Sequence, residues 1–166
     1  MGKSLFLGRY AGIPIYVHWT FGLLLLSLAY FCVHLGLEIQ TAAWLTLYVF
    51  TLFFCVILHE YGHALMARKF GVDTRDIIIS PIGGLARLER MPIVPKQELL
   101  IAIAGPLVNV AIALLLVATM SLAGIQLFAG LLPFPSNGTE YIQLVLLLNI
   151  VLFFFNLVPA LSLIHI

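Results

Sequence analysis

Of the chain's 166 residues, 63% are hydrophobic and 9% charged, with a mean hydropathy of +1.14 and a net charge of +1. A soluble domain carries about 25% charged residues, so this composition excludes one and describes a polytopic membrane protein. The few charges are sorted by side of the membrane rather than gathered into a basic patch, which argues against nucleic acid as a partner.

Four stretches contain no Asp, Glu, Lys or Arg: Tyr10 to Leu37, Ile39 to His59, Leu99 to Thr139, and Tyr141 to Ile166. Each has room for a helix of about 20 residues crossing a ~30 Å hydrocarbon core. The eight basic residues are Lys3, Arg9, Arg68, Lys69, Arg75, Arg87, Arg90 and Lys96. They precede the first span or fall between the second and third, so the positive-inside rule predicts that both termini and the 68–96 segment are cytoplasmic. The expected architecture is an all-α polytopic membrane protein of about four transmembrane helices, with a small membrane-associated β-hairpin between the second and third. It forms a single membrane-embedded domain over residues 1–166.

In chain order, Gly8, Gly12 and Pro14 argue against a helix before residue 19, and Ile15 to Val17 is a short β-prone piece. His18 and Trp19 suit the headgroup level as interfacial anchors. The first span is expected over Thr20 to Leu37. Cys32 and Cys55 fall within spans and read as small apolar packers rather than a disulfide pair. The basic start with an apolar run lacks a small-residue cleavage site, so the first helix reads as retained.

The second span begins near Thr41 and carries the stretch on which the rest depends, His59-Glu60-Tyr61-Gly62-His63. Histidines at i and i+4 lie on one helical face about 5–6 Å apart, so both imidazoles can reach one Zn²⁺ while Glu60 addresses a water beside it. With five His and five Glu in the chain, HExxH arises by chance in roughly one such sequence in two hundred. Ionisable groups at this depth are expensive to keep and are as a rule functional. Arg68, Lys69 and then Gly71 close the helix.

Between Val72 and Pro95, Ile77-Ile78-Ile79, the turn Ser80-Pro81-Ile82-Gly83-Gly84 and the alternation of Leu85 to Glu89 predict the hairpin. Its edge could accept an extended peptide as an added strand; an ordinary cytoplasmic loop is the alternative. The third span, about Gln97 to Leu122, contains Ala104-Gly105-Pro106-Leu107-Val108-Asn109. Gly105 permits close helix approach, Pro106 frees the carbonyl of Ala102, and Asn109 offers a polar group. A bent helix beside a metal and plain helix packing both fit this stretch. Pro133, Pro135, Asn137 and Gly138 mark an outer loop. The fourth span then starts at Tyr141 and runs inward to Asn156-Leu157-Val158-Pro159, converging on the depth of His59 and His63.

Together these motifs resemble the site-2 proteases, intramembrane zinc metalloproteases of the M50 type. The resemblance rests on HEYGH, the Gly83-Gly84 turn, AGPLVN at 104–109 and Asn156 to Pro159, and covers nearly the whole chain. It implies one Zn²⁺ held by His59 and His63 with an aspartate from a later helix, and Glu60 as general base. Asn156, Pro159, Gly83, Gly84 and Asn109 would support the site or the substrate. It also implies a transmembrane protein as substrate, cleaved near the cytoplasmic face, and a prokaryotic cell membrane as the setting; a homo-oligomer is compatible with it. The start, GRYAGIPIYVHWTF, resembles members that often carry nucleotide-sensing CBS domains after the membrane part.

The family pattern NxxPxxPxDG is not kept. Ser162 stands at its second Pro, Ile164 at its Asp and His165 at its Gly, so the third zinc ligand is missing and the expectation is a member cut short or misjoined at its C-terminal end. His165 is one position off as a substitute ligand. An inactive scaffold binding membrane partners is therefore an alternative. A metal transporter is a weaker one, since transport predicts polar residues through the spans rather than at one depth.

Overall fold

The computed structural model describes residues 4–90, 94–127 and 134–162, with side chains described to residue 157. Ser4 to His18 folds as two strands around a tight turn at Ala11 and Gly12, both with positive φ, and in the second of them Ile13 and Ile15 alternate inward. Strands β1 (Ser4–Tyr10) and β2 (Ile13–His18) pair antiparallel across it. Helix α1 (Thr20–His34) follows, then α2 (Ile39–Lys69), strands β3 (Thr74–Ser80) and β4 (Gly83–Leu88), and helices α3 (Pro95–Leu122) and α4 (Gly138–Ser162).

The expected hairpin is only half of what forms. β3 and β4 pair antiparallel, but β2 runs parallel to β3, with Ile15 opposite Ile77 and Val17 opposite Ile79. The result is one four-stranded sheet in the order β1-β2-β3-β4, with β4 at an open edge. The all-α expectation is therefore corrected to a mostly helical protein with a small mixed sheet. Alternation decides which face is buried: Ile13, Ile15, Ile77 and Ile79 point inward with Phe53 and Ala64 of α2, and Val17, Phe21 and Tyr61 pack around them. On the outer face the buried Asp76 accepts two hydrogen bonds from Arg87 across the β3–β4 pair. This partner pushes the guanidinium pKa up still further.

Among the described residues, the first of the expected spans is shorter than the others. Helices α2, α3 and α4 are long and apolar enough to cross a membrane, but α1 is 15 residues long, about 22 Å at 1.5 Å per residue. It stops short of Leu37 because Gly36 adopts φ +61 and the Leu37 N–H turns back to the Cys32 carbonyl at 3.0 Å, a Schellman ending. Gly71 ends α2 the same way, with Val72 N–H on the Ala67 carbonyl at 3.0 Å. At the other end of the molecule, Asn137 caps α4 by accepting from the Glu140 N–H at 3.0 Å.

Candidate metal centre

Every residue of HEYGH faces a different partner. His59 is 20 residues from the start of α2, about 30 Å along it, with about 15 Å of helix still to come. Its Nδ1 lies 2.8 Å from Asn109 Oδ1 of α3. His63 Nδ1 lies 2.7 Å from the Ile101 carbonyl, also of α3. Glu60 Oε2 accepts from the Ala86 N–H of β4 at 2.9 Å. The Tyr61 hydroxyl donates to the Tyr10 carbonyl of β1 at 2.9 Å. Gly62 is the seat of α3: a methyl there would fall 2.6 Å from the Ala104 carbonyl oxygen. One turn of α2 thus holds the sheet on one side and α3 on the other.

The geometry suits a cation. A carbonyl oxygen can only accept, so His63 Nδ1 carries the proton and its Nε2 presents a lone pair. That Nε2 is 3.0 Å from His59 Nε2, a separation two nitrogens adopt when both bind one ion at ~2.0–2.1 Å each. Space is kept open beside them by Gly105, where a methyl would come within 2.3 Å of His63 Nε2 and 2.8 Å of His59 Nε2. The donor set, two imidazoles with their far nitrogens engaged by protein acceptors, is the arrangement zinc ligands adopt. Among the described residues no group of three or more His, Cys, Asp or Glu gathers around it.

AGPLVN thus combines the two roles its composition allowed. Ala104 and Gly105 pack against α2, and Asn109 reaches His59; the carbonyl that meets a histidine is that of Ile101 rather than of Ala102. Gly83 has φ +137 and forms the turn. Gly84 lets β4 lie on α2, since a methyl there would sit 2.7 Å from Glu60 Cγ.

Asn156 is placed differently from expectation: its amide donates to the Leu152 carbonyl of its own helix at 2.8 Å. Among the described residues it makes no bond to His59, Glu60 or His63. Among the described residues of α4, Asn149 reaches the site: it is fully buried and 3.3 Å from Asn109 Nδ2. Nothing in its spacing sets it apart from Gln143 and Asn156 of the same helix, although any amide in an apolar span is costly to bury without a partner. The side chains of Pro159 and Ser162, and residues Ile164 and His165, lie outside the described residues.

Residues 47–133 match the model of peptidase family M50. A zinc metalloprotease of Methanocaldococcus jannaschii is 36% identical over 96% of this chain and 42% of its own length. A relative from Synechocystis is 32% identical over 98% of this chain and likewise 42% of its own length. The chain therefore spans less than half the length of these curated relatives. Its fold is similar to that of the solved site-2 protease from M. jannaschii, with a TM-score of 0.69 and 34% identity, covering 95% of this chain and 65% of that one. With that family model matched across α2, the hairpin and α3, and the site-2 protease fold around them, the chain belongs to peptidase family M50.

Proposed function

We propose that this chain carries the zinc-binding core of an intramembrane metalloendopeptidase that cuts transmembrane segments of other membrane proteins near the cytoplasmic face. The observation that carries the reading is the pair of Nε2 atoms 3.0 Å apart, opposite Gly105, from histidines that flank Glu60 on one helical turn. His59 and His63 would hold zinc, with a third ligand completing the set that a catalytic site needs. Zinc bound there supplies Lewis acidity, which acidifies a water and polarises a scissile carbonyl.

Glu60 does the proton work. Its Oε2 is held by the Ala86 N–H, leaving Oε1 to take the proton of the attacking water and pass it to the leaving amine as the C–N bond breaks. Ala86 stands on β4, an edge strand of the sheet, so a substrate unwound from its helix and laid along that strand would lie beside the base. Unwinding is required because a helical peptide bond is shielded by its own hydrogen bonds. The basic residues Arg68, Lys69, Arg75, Arg87, Arg90 and Lys96 support a cytoplasmic side for this sheet.

The test is zinc content and cleavage of a model transmembrane substrate in detergent, for this chain, for Glu60→Gln and for Ile164→Asp. Ile164→Asp, which supplies the family's carboxylate, is expected to raise zinc towards one per chain and to increase cleavage. Adding Glu60→Gln to it should abolish cleavage and spare the zinc. Absence of zinc and of cleavage even with Ile164→Asp would overturn the proposal in favour of a scaffold.

A further inference from the structure

Beyond the two histidines, a buried relay decides which nitrogen of His59 faces the site. Its far end is Asn149 on α4, whose amide has one atom 2.9 Å from the Val145 carbonyl and 3.5 Å from Cys55 Sγ, and the other towards Asn109. A carbonyl only accepts, so the first atom is the amide nitrogen and Asn149 Oδ1 faces Asn109. The Asn109 atom 3.3 Å from that oxygen must then donate, which makes it Nδ2. Asn109 Oδ1 is left facing His59 Nδ1 at 2.8 Å, and an amide oxygen can accept only from a protonated nitrogen. Asn109 and Asn149 are both 0% exposed and His59 5%, so water cannot substitute for any member.

We infer that Asn149 is a positioning residue: through Asn109 it holds His59 in the Nδ1–H tautomer, so that Nε2 offers a lone pair. The alternative is close at hand. Were Asn109 to rotate its amide by half a turn, Nδ2 would face His59 Nδ1, the proton would move to Nε2, and His59 would donate to His63 Nε2 across the 3.0 Å between them. The histidines would then satisfy each other and have no need of an ion. Asn149 opposes that state, because the rotated amide would set two oxygens, Asn109 Oδ1 and Asn149 Oδ1, against each other in a dry interior. The relay therefore keeps two acceptors opposed, an arrangement that a cation relieves. The inference rests on the zinc reading only for what the tautomer serves; the tautomer itself can be observed without metal.

The test is ¹⁵N NMR of the chain labelled at histidine, freed of metal by chelation, in detergent at a pH where imidazole is neutral. The His59 signals are identified by their loss in His59→Gln. In the unsubstituted chain Nδ1 of both His59 and His63 is expected to carry the proton. In Asn149→Leu, which keeps volume and removes the acceptor, His59 should shift towards Nε2–H while His63, on the Ile101 carbonyl, stays unchanged and reports an intact fold. Adding Asn109→Asp to Asn149→Leu should return His59 to Nδ1–H, since a carboxylate has no donor to present; loss of packing alone would not be reversed this way. Cobalt titration of the same proteins should show affinity about 10–100-fold weaker in Asn149→Leu and recovered in the double variant. If His59 carries its proton on Nε2 in the unsubstituted chain, or keeps it on Nδ1 in folded Asn149→Leu, the inference is overturned whatever the metal does. If the tautomer responds as described but cobalt binds nowhere, the positioning role stands and the zinc reading fails.

Discussion

The Glu60 carboxylate is tied to the Ala86 backbone N–H at 2.9 Å, across 26 residues of sequence, so the proposed base is positioned by the sheet as well as by its own helix. The contact depends on Gly84, where a methyl would meet Glu60 Cγ at 2.7 Å and Val56 Cγ1 at 2.9 Å. Val56 is β-branched and cannot swing clear. Gly84→Ala should therefore lift β4 off α2 at an overpacking cost of ~1–3 kcal/mol. A base displaced by about 1 Å should slow cleavage about a hundredfold, while zinc uptake is unchanged. Parallel cleavage and zinc assays would check it; equal losses in both would show that Gly84 serves the metal instead.

Tyr61 anchors the opposite side of the sheet. Its hydroxyl bond to the Tyr10 carbonyl is a neutral hydrogen bond, contributing ~0.5–1.5 kcal/mol. Tyr61→Phe should speed hydrogen exchange in β1 and β2 and leave metal titration as it was. A loss of metal binding would mean that β1 supports the centre directly.

The three long apolar helices, the histidine pair of HEYGH and the β3–β4 pairing were legible because each is written locally, in runs without charge, in an i, i+4 spacing, and in alternation around Gly83 and Gly84. What escaped was non-local. The parallel pairing of Ile15 with Ile77 joins strands separated by two helices, and no short-range pattern announces it. The shortness of α1 turned on Gly36 adopting a left-handed conformation, one of several endings open to that stretch. Asn156 drew notice because its motif is conspicuous, whereas Asn149, seven residues or about two helical turns earlier on α4, bonds to Asn109 with no motif around it.

Asp76 and Arg87 should matter for the sheet rather than for the chemistry. Asp76 is 5% exposed and Arg87 is its ion-pair partner. Arg87→Leu leaves a buried carboxylate without a counter-charge, at a cost of ~1–3 kcal/mol, and β3 and β4 should exchange amide protons faster. Adding Asp76→Asn, which removes the charge, should recover much of that loss. Hydrogen exchange read by mass spectrometry would decide; a double variant as labile as Arg87→Leu would show that Arg87 acts through packing.

The metal centre makes the sharpest demand on Gly105. Alanine is the better helix former by ~0.8–1.0 kcal/mol, so on propensity alone Gly105→Ala in α3 should be harmless or stabilising. Its methyl, however, would lie 2.3 Å from His63 Nε2 and 2.8 Å from His59 Nε2, inside the space a shared ion must fill. The imidazoles can yield only by giving up the Ile101 carbonyl or Asn109 Oδ1, which hold their far nitrogens. The expected outcome is a chain that folds with unchanged helix content and binds cobalt at least about a hundredfold more weakly, since both ligand geometry and its supporting bonds are disturbed. Circular dichroism with cobalt absorption on the same sample separates the two effects. Undiminished cobalt binding in Gly105→Ala would mean that the ion sits away from the gap between His59 and His63.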